Sequence, residues 1–352
     1  MSQFVPLTIK SIQPQTEQAI CIAFDLAPEQ FAAFEYQPGQ HLTIRHMTDE
    51  GELRRCYSIC SDVAEDMSIA IKKIDQGQFS TWANDHLKAG DVLEVMPPQG
   101  VFFHKAAKVG GQNYLGFAAG SGITPILSIV KSVLNRQADA QFTLVYGNRS
   151  WKQTMFAEQI MDLKDRFKER LQLINIFSRE MNDSEIFNGR IDAEKLQQLF
   201  KAQLIQANTD HCFACGPEEM MTAVETVLPT FGIERSKIHT ERFNTGTAPR
   251  ATAQQIESRS EEKVNIILDG RELIIEVSKQ DDSILDAALR AGADLPYACK
   301  GGVCATCKCK VLEGQVEMAI NYSLEQDEVE KGYVLSCQAL PTSANVRLSF
   351  DE

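Results

Sequence analysis

The residues with the most specific chemistry are five cysteines near the C-terminus, Cys299, Cys304, Cys307, Cys309 and Cys337. The spacing Cys299-x4-Cys304-x2-Cys307, with Cys337 far downstream, is one in which four thiolates surround the two irons of a 2Fe–2S cluster. Three of the four must come from one tight loop, and Gly301-Gly302 permits the backbone angles that such a loop demands. Amide N–H groups exposed by the turn can donate to sulfur and tune its potential. Cys309 is not needed by the pattern and stays unassigned. Structural zinc on four of the five is the alternative, although zinc sites more often pair two C-x2-C units, and this loop holds only one.

A second candidate is G-S-G-I-T-P, in which Gly120, Ser121, Gly122 and Thr124 follow an apolar run, Tyr114 to Ala119. Glycines at a strand-to-helix turn let backbone approach a pyrophosphate, and the helix N-terminus offers N–H groups and positive dipole. Pro125 fits the first helical turn. The third glycine of the dinucleotide fingerprint is missing, so a plain tight turn is the competing reading. Three further motifs are R-C-Y-S (Arg55, Cys56, Tyr57, Ser58), G-Q-F-S-T (Gly77, Gln78, Phe79, Ser80, Thr81) and C-G-P-E-E-M, which opens on Cys215, Gly216 and Pro217. Together they offer an aromatic face, a fixed cation and small residues where an anion could approach. Cys212 and Cys215 form a C-x-x-C, but strand positions three apart face opposite sides, so no disulfide is expected there.

The surrounding pattern says what must position these residues. Short alternating runs (Leu7 to Ile9, His41 to Ile44, Met67 to Ile71), separated by turns such as Pro38-Gly39 and Pro97-Pro98, predict an antiparallel β-barrel. From Asn113 onward, strand-like runs at Tyr114 to Ala119, Phe142 to Tyr146, Gln172 to Phe177 and Cys212 to Cys215 alternate with helical stretches. That alternation predicts a parallel α/β sheet. The tail opens with a hairpin, Val264 to Asp269 and Glu272 to Val277, and continues with a helix at Ser283 to Ala291. Between them, residues 244–263 hold one large apolar side chain, Ile256, and read as a flexible linker. The expected domains are therefore 1–108, 109–243 and 264–352.

The 352 residues carry a net charge of −13, which argues against a nucleic-acid surface. Residues 261–352 hold 17 acidic and 9 basic side chains, which suits docking to a basic protein patch. The longest apolar candidate, 114–130, is interrupted by Gly116, Gly120, Ser121, Gly122 and Pro125, so no membrane span is expected. Residues 1–10 lack a basic region followed by an apolar run, so a secretory signal is not expected and a cytoplasmic location is.

With Ala298 before the loop and L-S-C-Q around Cys337, the tail resembles plant-type ferredoxin domains, which implies a β-grasp fold. The ordered motifs of residues 1–243 resemble the ferredoxin-NADP reductase superfamily. That resemblance implies FAD, rather than FMN, on a β-barrel domain, and NADPH on an α/β parallel-sheet domain. It implies that Tyr57 packs on the flavin ring, Arg55 meets the pyrophosphate, Ser58 lies near the reactive ring nitrogen, and Gly77 to Thr81 serve the phosphates. Cys56 and Lys72 are taken as further cofactor contacts. Cys215, followed by Gly216 and Pro217, is implied to lie beside the nicotinamide. Glu241 and Phe243 are implied to approach the flavin, although Phe243 could equally be ordinary packing. Ser178 and Arg179 resemble the residues that hold a 2′-phosphate in NADP-type members, Arg149 follows the neighbouring strand and is taken as a further cofactor contact, and Glu180 beside Arg179 is a carboxylate that could pair with it. The stretches E-L-R-R-C-Y-S-I-C, L-E-V-M-P-P-Q-G and A-C-K-G-G-V-C-A-T-C-K-C-K-V resemble the reductase subunits of bacterial phenylacetyl-CoA epoxidases. The implied partner is then a separate di-iron oxygenase; reductases for another oxygenase or a hybrid-cluster protein share the domain order.

Overall fold

The computed structural model describes residues 4–49, 51–100, 102, 112–243 and 262–352. The described chain divides into two compact units. One comprises residues 5–53 and 57–243, the other residues 262–352 with Phe4 and 54–56.

The first unit holds two sheets. Strands β1 (Val5–Thr16), β2 (Ala19–Asp25), β3 (His41–Thr48), β4 (Gly51–Ser58), β5 (Ser68–Lys72) and β6 (Val92–Gln99) form an antiparallel sheet. Its order is β4-β3-β6-β1-β2-β5, and a bridge between Ile59 and Ile69 brings the two edges together. The sheet thus curls into the expected barrel, filled by Leu7, Ile22, Phe24, Phe34, Leu42, Ile44 and Val95. Helix Gln78–His86 packs against it through Phe79 and Ala83.

The second sheet is parallel, in the order β11-β10-β7-β8-β9. Its strands are β7 (Asn113–Ala119), β8 (Gln141–Asn148), β9 (Leu171–Phe177), β10 (His211–Cys215) and β11 (Ile238–Glu241). Near-continuous apolar runs such as Tyr114 to Ala118 are what a parallel strand covered on both faces requires. Helix Ile123–Arg136 covers one face and helices Ala193–Lys201 and Glu218–Val227 the other. Cys215 belongs to the first core and Cys212 to the second, so the two thiols do face opposite sides.

One face of helix Ile123–Arg136 ties the two sheets together. Ser128 Oγ donates to the Ser61 carbonyl at 2.6 Å, Lys131 pairs with Glu65 at 2.7 Å, and Asn135 and Arg136 both reach Asp62 at 2.8 Å. The helical spacing of these four residues aims them at one turn, residues 61–66, of the barrel.

The second unit is a mixed sheet in the order β13-β12-β18-β14-β16, formed by β12 (Glu262–Leu268), β13 (Arg271–Val277), β14 (Lys308–Glu313), β16 (Tyr333–Leu335) and β18 (Asn345–Ser349). A small ribbon of β15 (Val316–Met318) and β17 (Ala339–Pro341) lies beside it. The expected hairpin is β12-β13, its turn built on Asp269 and Gly270, both at positive φ (51° and 69°). Helix Ile284–Arg290 starts at the N-cap Ser283, whose hydroxyl accepts from Asp286 N–H at 3.1 Å.

The expected break at 108/109, like residues 244–261 of the expected linker, lies outside the described residues. The linker's expected end is corrected: Glu262 and Lys263 already pair with Val277 and Glu276 in β12-β13.

Candidate flavin and nucleotide site, and the cluster loop

Strand β4 carries R-C-Y-S, with Arg55 exposed and Ser58 buried. Alternation puts Arg55 and Tyr57 on one face and Cys56 and Ser58 on the other. The Tyr57 ring keeps part of its surface open and lies 5.8 Å from Phe79, centroid to centroid. Ser58 Oγ donates to Glu241 Oε2 at 3.1 Å, and Glu241 sits opposite Cys215 in the β10-β11 register. The structure therefore gathers Ser58, Glu241 and Cys215, which are far apart in the sequence. Burial pushes the Glu241 carboxyl up to about 7, with His41 and the Ser58 hydroxyl pulling the other way. Burial, then Glu241, pushes the Cys215 thiol well up, so it stays neutral.

Gly77 opens helix Gln78–His86, and no side chain fits there: a Cβ would lie 2.4 Å from both Ile74 and Ser80 side-chain atoms. The helix start thus presents backbone to an anion, as expected of Gly77 and Gln78. Two of the other residues do different work. The Phe79 side chain points into the barrel core, and the Ser80 hydroxyl accepts from Ile74 N–H at 3.3 Å within its own turn. Thr81 is exposed, and its N–H already serves the Gly77 carbonyl.

Gly120 to Gly122 form a single tight turn before helix Ile123–Arg136. Gly120 has φ +55°, and its carbonyl accepts from the Tyr146 hydroxyl at 3.1 Å. A Cβ on Gly122 would stand 2.0 Å from the Cys215 carbonyl oxygen, so two backbones meet there with no room for a side chain. Gly216 is similarly closed, by Met220 at 2.6 Å. Pro217 caps helix Glu218–Val227. Thr124 Oγ1 donates to Ser121 O at 3.0 Å, which spends that hydroxyl on the turn. At the turn's open side the Lys72 ammonium lies 3.5 Å from where a Gly120 Cβ would be. Burial and the charge of Arg149 lower the Lys72 amine, as happens where two cations converge on an anion site.

Beyond it, the ends of β8 and β9 run side by side: Ser178 N–H donates to Asn148 O at 3.0 Å and Arg179 N–H to Arg149 O at 2.8 Å. Both residues are exposed, and among the described residues neither has an ion pair. Glu180 is not Arg179's partner, because its Oε2 accepts from Trp151 N–H at 2.7 Å. A parallel bridge pairs Phe177 with Asn188, so the backbone leading to a third exposed arginine, Arg190, runs past the end of β9. Sequence reasoning did not single it out; only strand pairing relates it to Ser178. Phe243 ends the unit with 39% of its surface exposed.

In the second unit the four cysteine thiols act on one another: Cys304 is the largest influence on Cys299, Cys337 the largest on Cys307, and Cys299 also acts on Cys337. Among the described residues no three His, Cys, Asp or Glu converge on a single point. Four mutually interacting thiols, three from one loop and one from a neighbouring turn, suit two irons with two protein ligands each. Gly301 N–H donates to Cys299 Sγ at 3.3 Å and Gln338 Nε2 to Cys337 Sγ at 3.7 Å, the donors such a cluster needs. Lys300 and Ala305 sit at positive φ with Gly302, showing how sharply the loop turns. Cys309 points into the hydrophobic core, where burial pushes its thiol up, and takes no part in the loop.

The barrel with a Gly-opened helix, the parallel sheet with a Gly-x-Gly turn and the four-thiol loop define a flavin- and nicotinamide-dependent oxidoreductase with its own iron–sulfur domain. Family models match in the same order: an oxidoreductase FAD-binding domain at residues 6–104, an oxidoreductase NAD-binding domain at 117–226 and a 2Fe-2S iron-sulfur cluster binding domain at 266–342. Over 352 residues the chain is 48% identical to a subunit of the 1,2-phenylacetyl-CoA epoxidase of Escherichia coli (strain K12), covering 100% of this chain and 99% of that protein. It is 34% identical to the ferredoxin reductase component of a 3-ketosteroid-9-alpha-monooxygenase of Rhodococcus rhodochrous, covering 99% and 97%. Phthalate dioxygenase reductase shares the fold, with a TM-score of 0.61 at 21% identity, covering 99% of this chain and 98% of that one. The chain belongs to the family of these oxygenase reductase components, which move electrons from NAD(P)H through FAD to a 2Fe–2S cluster. No helix among the described residues is long and apolar enough to cross a membrane.

Proposed function

We propose that the chain draws electrons from NADPH and delivers them to the di-iron oxygenase subunits of a phenylacetyl-CoA epoxidase, in the cytoplasm. The observation that carries this reading is the 48% identity, along the whole chain, to one component of the Escherichia coli epoxidase. When bound, FAD would supply two-electron hydride chemistry and the 2Fe–2S cluster one-electron transfer. In this reading Arg55, Gly77 and the start of helix Gln78–His86 hold the flavin, with Tyr57 against its ring and Phe243 as a cover. The Gly120 to Gly122 turn and Lys72 take the nucleotide pyrophosphate, and Cys215 closes the nicotinamide side.

Three exposed guanidinium groups, Arg149, Arg179 and Arg190, together with Ser178, support a 2′-phosphate and hence NADPH over NADH. Ser58 and Glu241 hold a proton at the reduction site between Ser58 Oγ and Glu241 Oε2. Cys299, Cys304, Cys307 and Cys337 hold the two irons. Ten free cysteines suit a reducing compartment.

Mixing the protein with purified phenylacetyl-CoA oxygenase subunits tests the proposal. NADPH and phenylacetyl-CoA should disappear together. If NADPH reduces flavin and cluster while phenylacetyl-CoA survives, the partner is another oxygenase and this assignment fails.

A further inference from the structure

The Ser58–Glu241 pair has a neighbour that the motifs do not reveal. Ile59 N–H donates to the Gln40 carbonyl at 2.9 Å, which fixes the register of the β3-β4 hairpin. In that register His41 stands directly across from Ser58, with both side chains on the same face. Both residues are buried, at 6% and 4% exposure. Gly100 (φ +107°) gives the imidazole its space, since a Cβ there would come within 3.0 Å of His41 Nδ1. The His41 charge also acts directly on the Glu241 carboxyl.

We propose that His41 is a positioning residue of the flavin-reduction site: its imidazole stands across the β3-β4 ladder from Ser58 and acts, with the Ser58 hydroxyl, on the Glu241 carboxyl. The inference rests on the proposed placement of flavin reduction at Ser58, Glu241 and Cys215. From β10 the Cys215 thiol faces Glu241, and it is kept neutral by burial. Among the described residues, Gln99 of β6 pairs with His41 and Gly100 follows it, and neither is charged. On Glu241's own chain segment, Arg242 is turned the other way. It pairs with Glu218 at 3.1 Å and Glu225 at 3.0 Å. His41 therefore works against the burial that favours the neutral acid at Glu241. The Ser58 hydroxyl, which donates to Glu241, stands on the strand facing His41.

The test titrates the carboxyl of the flavin-loaded full chain by infrared difference spectroscopy, with glutamate carboxyls labelled with 13C and Glu241→Gln identifying the band. Neither NADPH nor an oxygenase is present, so a wrong donor or partner leaves the result unaffected. His41→Asn removes the imidazole and keeps a polar group. The Glu241 midpoint should then rise by about one pH unit, the lower end of what an adjacent opposite charge produces. Ser58→Ala, with His41 intact, should raise it by less. In the unmutated protein the His41 ring nitrogens, followed by NMR, should respond over the same pH interval as the carboxyl, as coupled groups must. An unchanged midpoint in His41→Asn overturns the proposal. If that variant loses its flavin, His41→Gln and the unmutated NMR titration decide instead, and independent titration of the two groups overturns the proposal equally.

Discussion

The flavin–nucleotide site and the cluster loop solve the same problem, holding a redox group, by opposite means. Three of the four cluster thiols lie within nine consecutive residues, and Cys337 arrives from the start of one neighbouring turn. The loop makes its own geometry through residues at positive φ and amide donors to sulfur. Nothing comparable is local in the first unit. Ser58, Glu241, Cys215, Lys72 and Arg179 come from β4, β11, β10, β5 and the end of β9, and only the packing of two sheets brings them together. A local site should fail one residue at a time; an assembled site should fail wherever the sheets are forced apart.

Cys304→Ser gives the sharpest contrast. It should abolish electron delivery to a protein acceptor while NADPH still reduces the flavin at an unchanged rate, read by stopped-flow absorbance. Loss of both activities would mean that the two sites are not separable. Gly122→Ala should act the other way round. A Cβ at 2.0 Å from the Cys215 carbonyl forces the seam open, at a cost of about 3 kcal/mol from overpacking. Misplacement of the nicotinamide side should slow flavin reduction by roughly a hundred-fold, and the iron content should stay intact.

Arg179→Ala should weaken NADPH and spare NADH, by on the order of 1.5–3 kcal/mol, or roughly ten- to hundred-fold in kcat/KM. Equal loss for both nucleotides would remove the 2′-phosphate from this place. The smallest effect is expected within the second unit. Asp281 accepts from Arg290 at 2.9 and 2.7 Å and from Ser278 N–H at 2.8 Å, and the Arg290 contact holds its carboxyl below the usual range. Asp281→Asn should cost roughly 1–2 kcal/mol in thermal unfolding followed by the cluster's visible absorbance. Because the folded pKa is depressed, this contribution is present at neutral pH and lost as pH falls through the folded value. The variant should therefore match the parent protein at strongly acid pH.

The same contrast explains what the sequence made legible. Cys299, Cys304, Cys307 and Cys337 were readable because their spacing is itself the chemistry. The elements were readable too: apolar runs gave β7 to β10, and D-G gave the β12-β13 turn. Ser58, Cys215 and Glu241 could be named only through a family resemblance, since no spacing predicts that residues 183 positions apart will share a proton. Arg190 and His41 escaped altogether, because only a strand bridge and a hairpin register relate them to the site. The roles expected of Ser80 and Thr124 needed the turn geometry, which shows their hydroxyls engaged locally.

The helix face that joins the two sheets has a consequence for ionic strength. Each of its two ion pairs has one nearly buried end, Lys131 at 4% and Asp62 at 2% side-chain exposure. Screening acts over about 8 Å at physiological salt and about 3 Å at 1 M, but only where counterions can reach. Added salt should thus strip charge from the exposed Arg149 and Arg179 long before it loosens the seam. A salt titration then becomes a dial for substrate capture alone, with KM for the nucleotide rising while the rate from the bound complex holds steady.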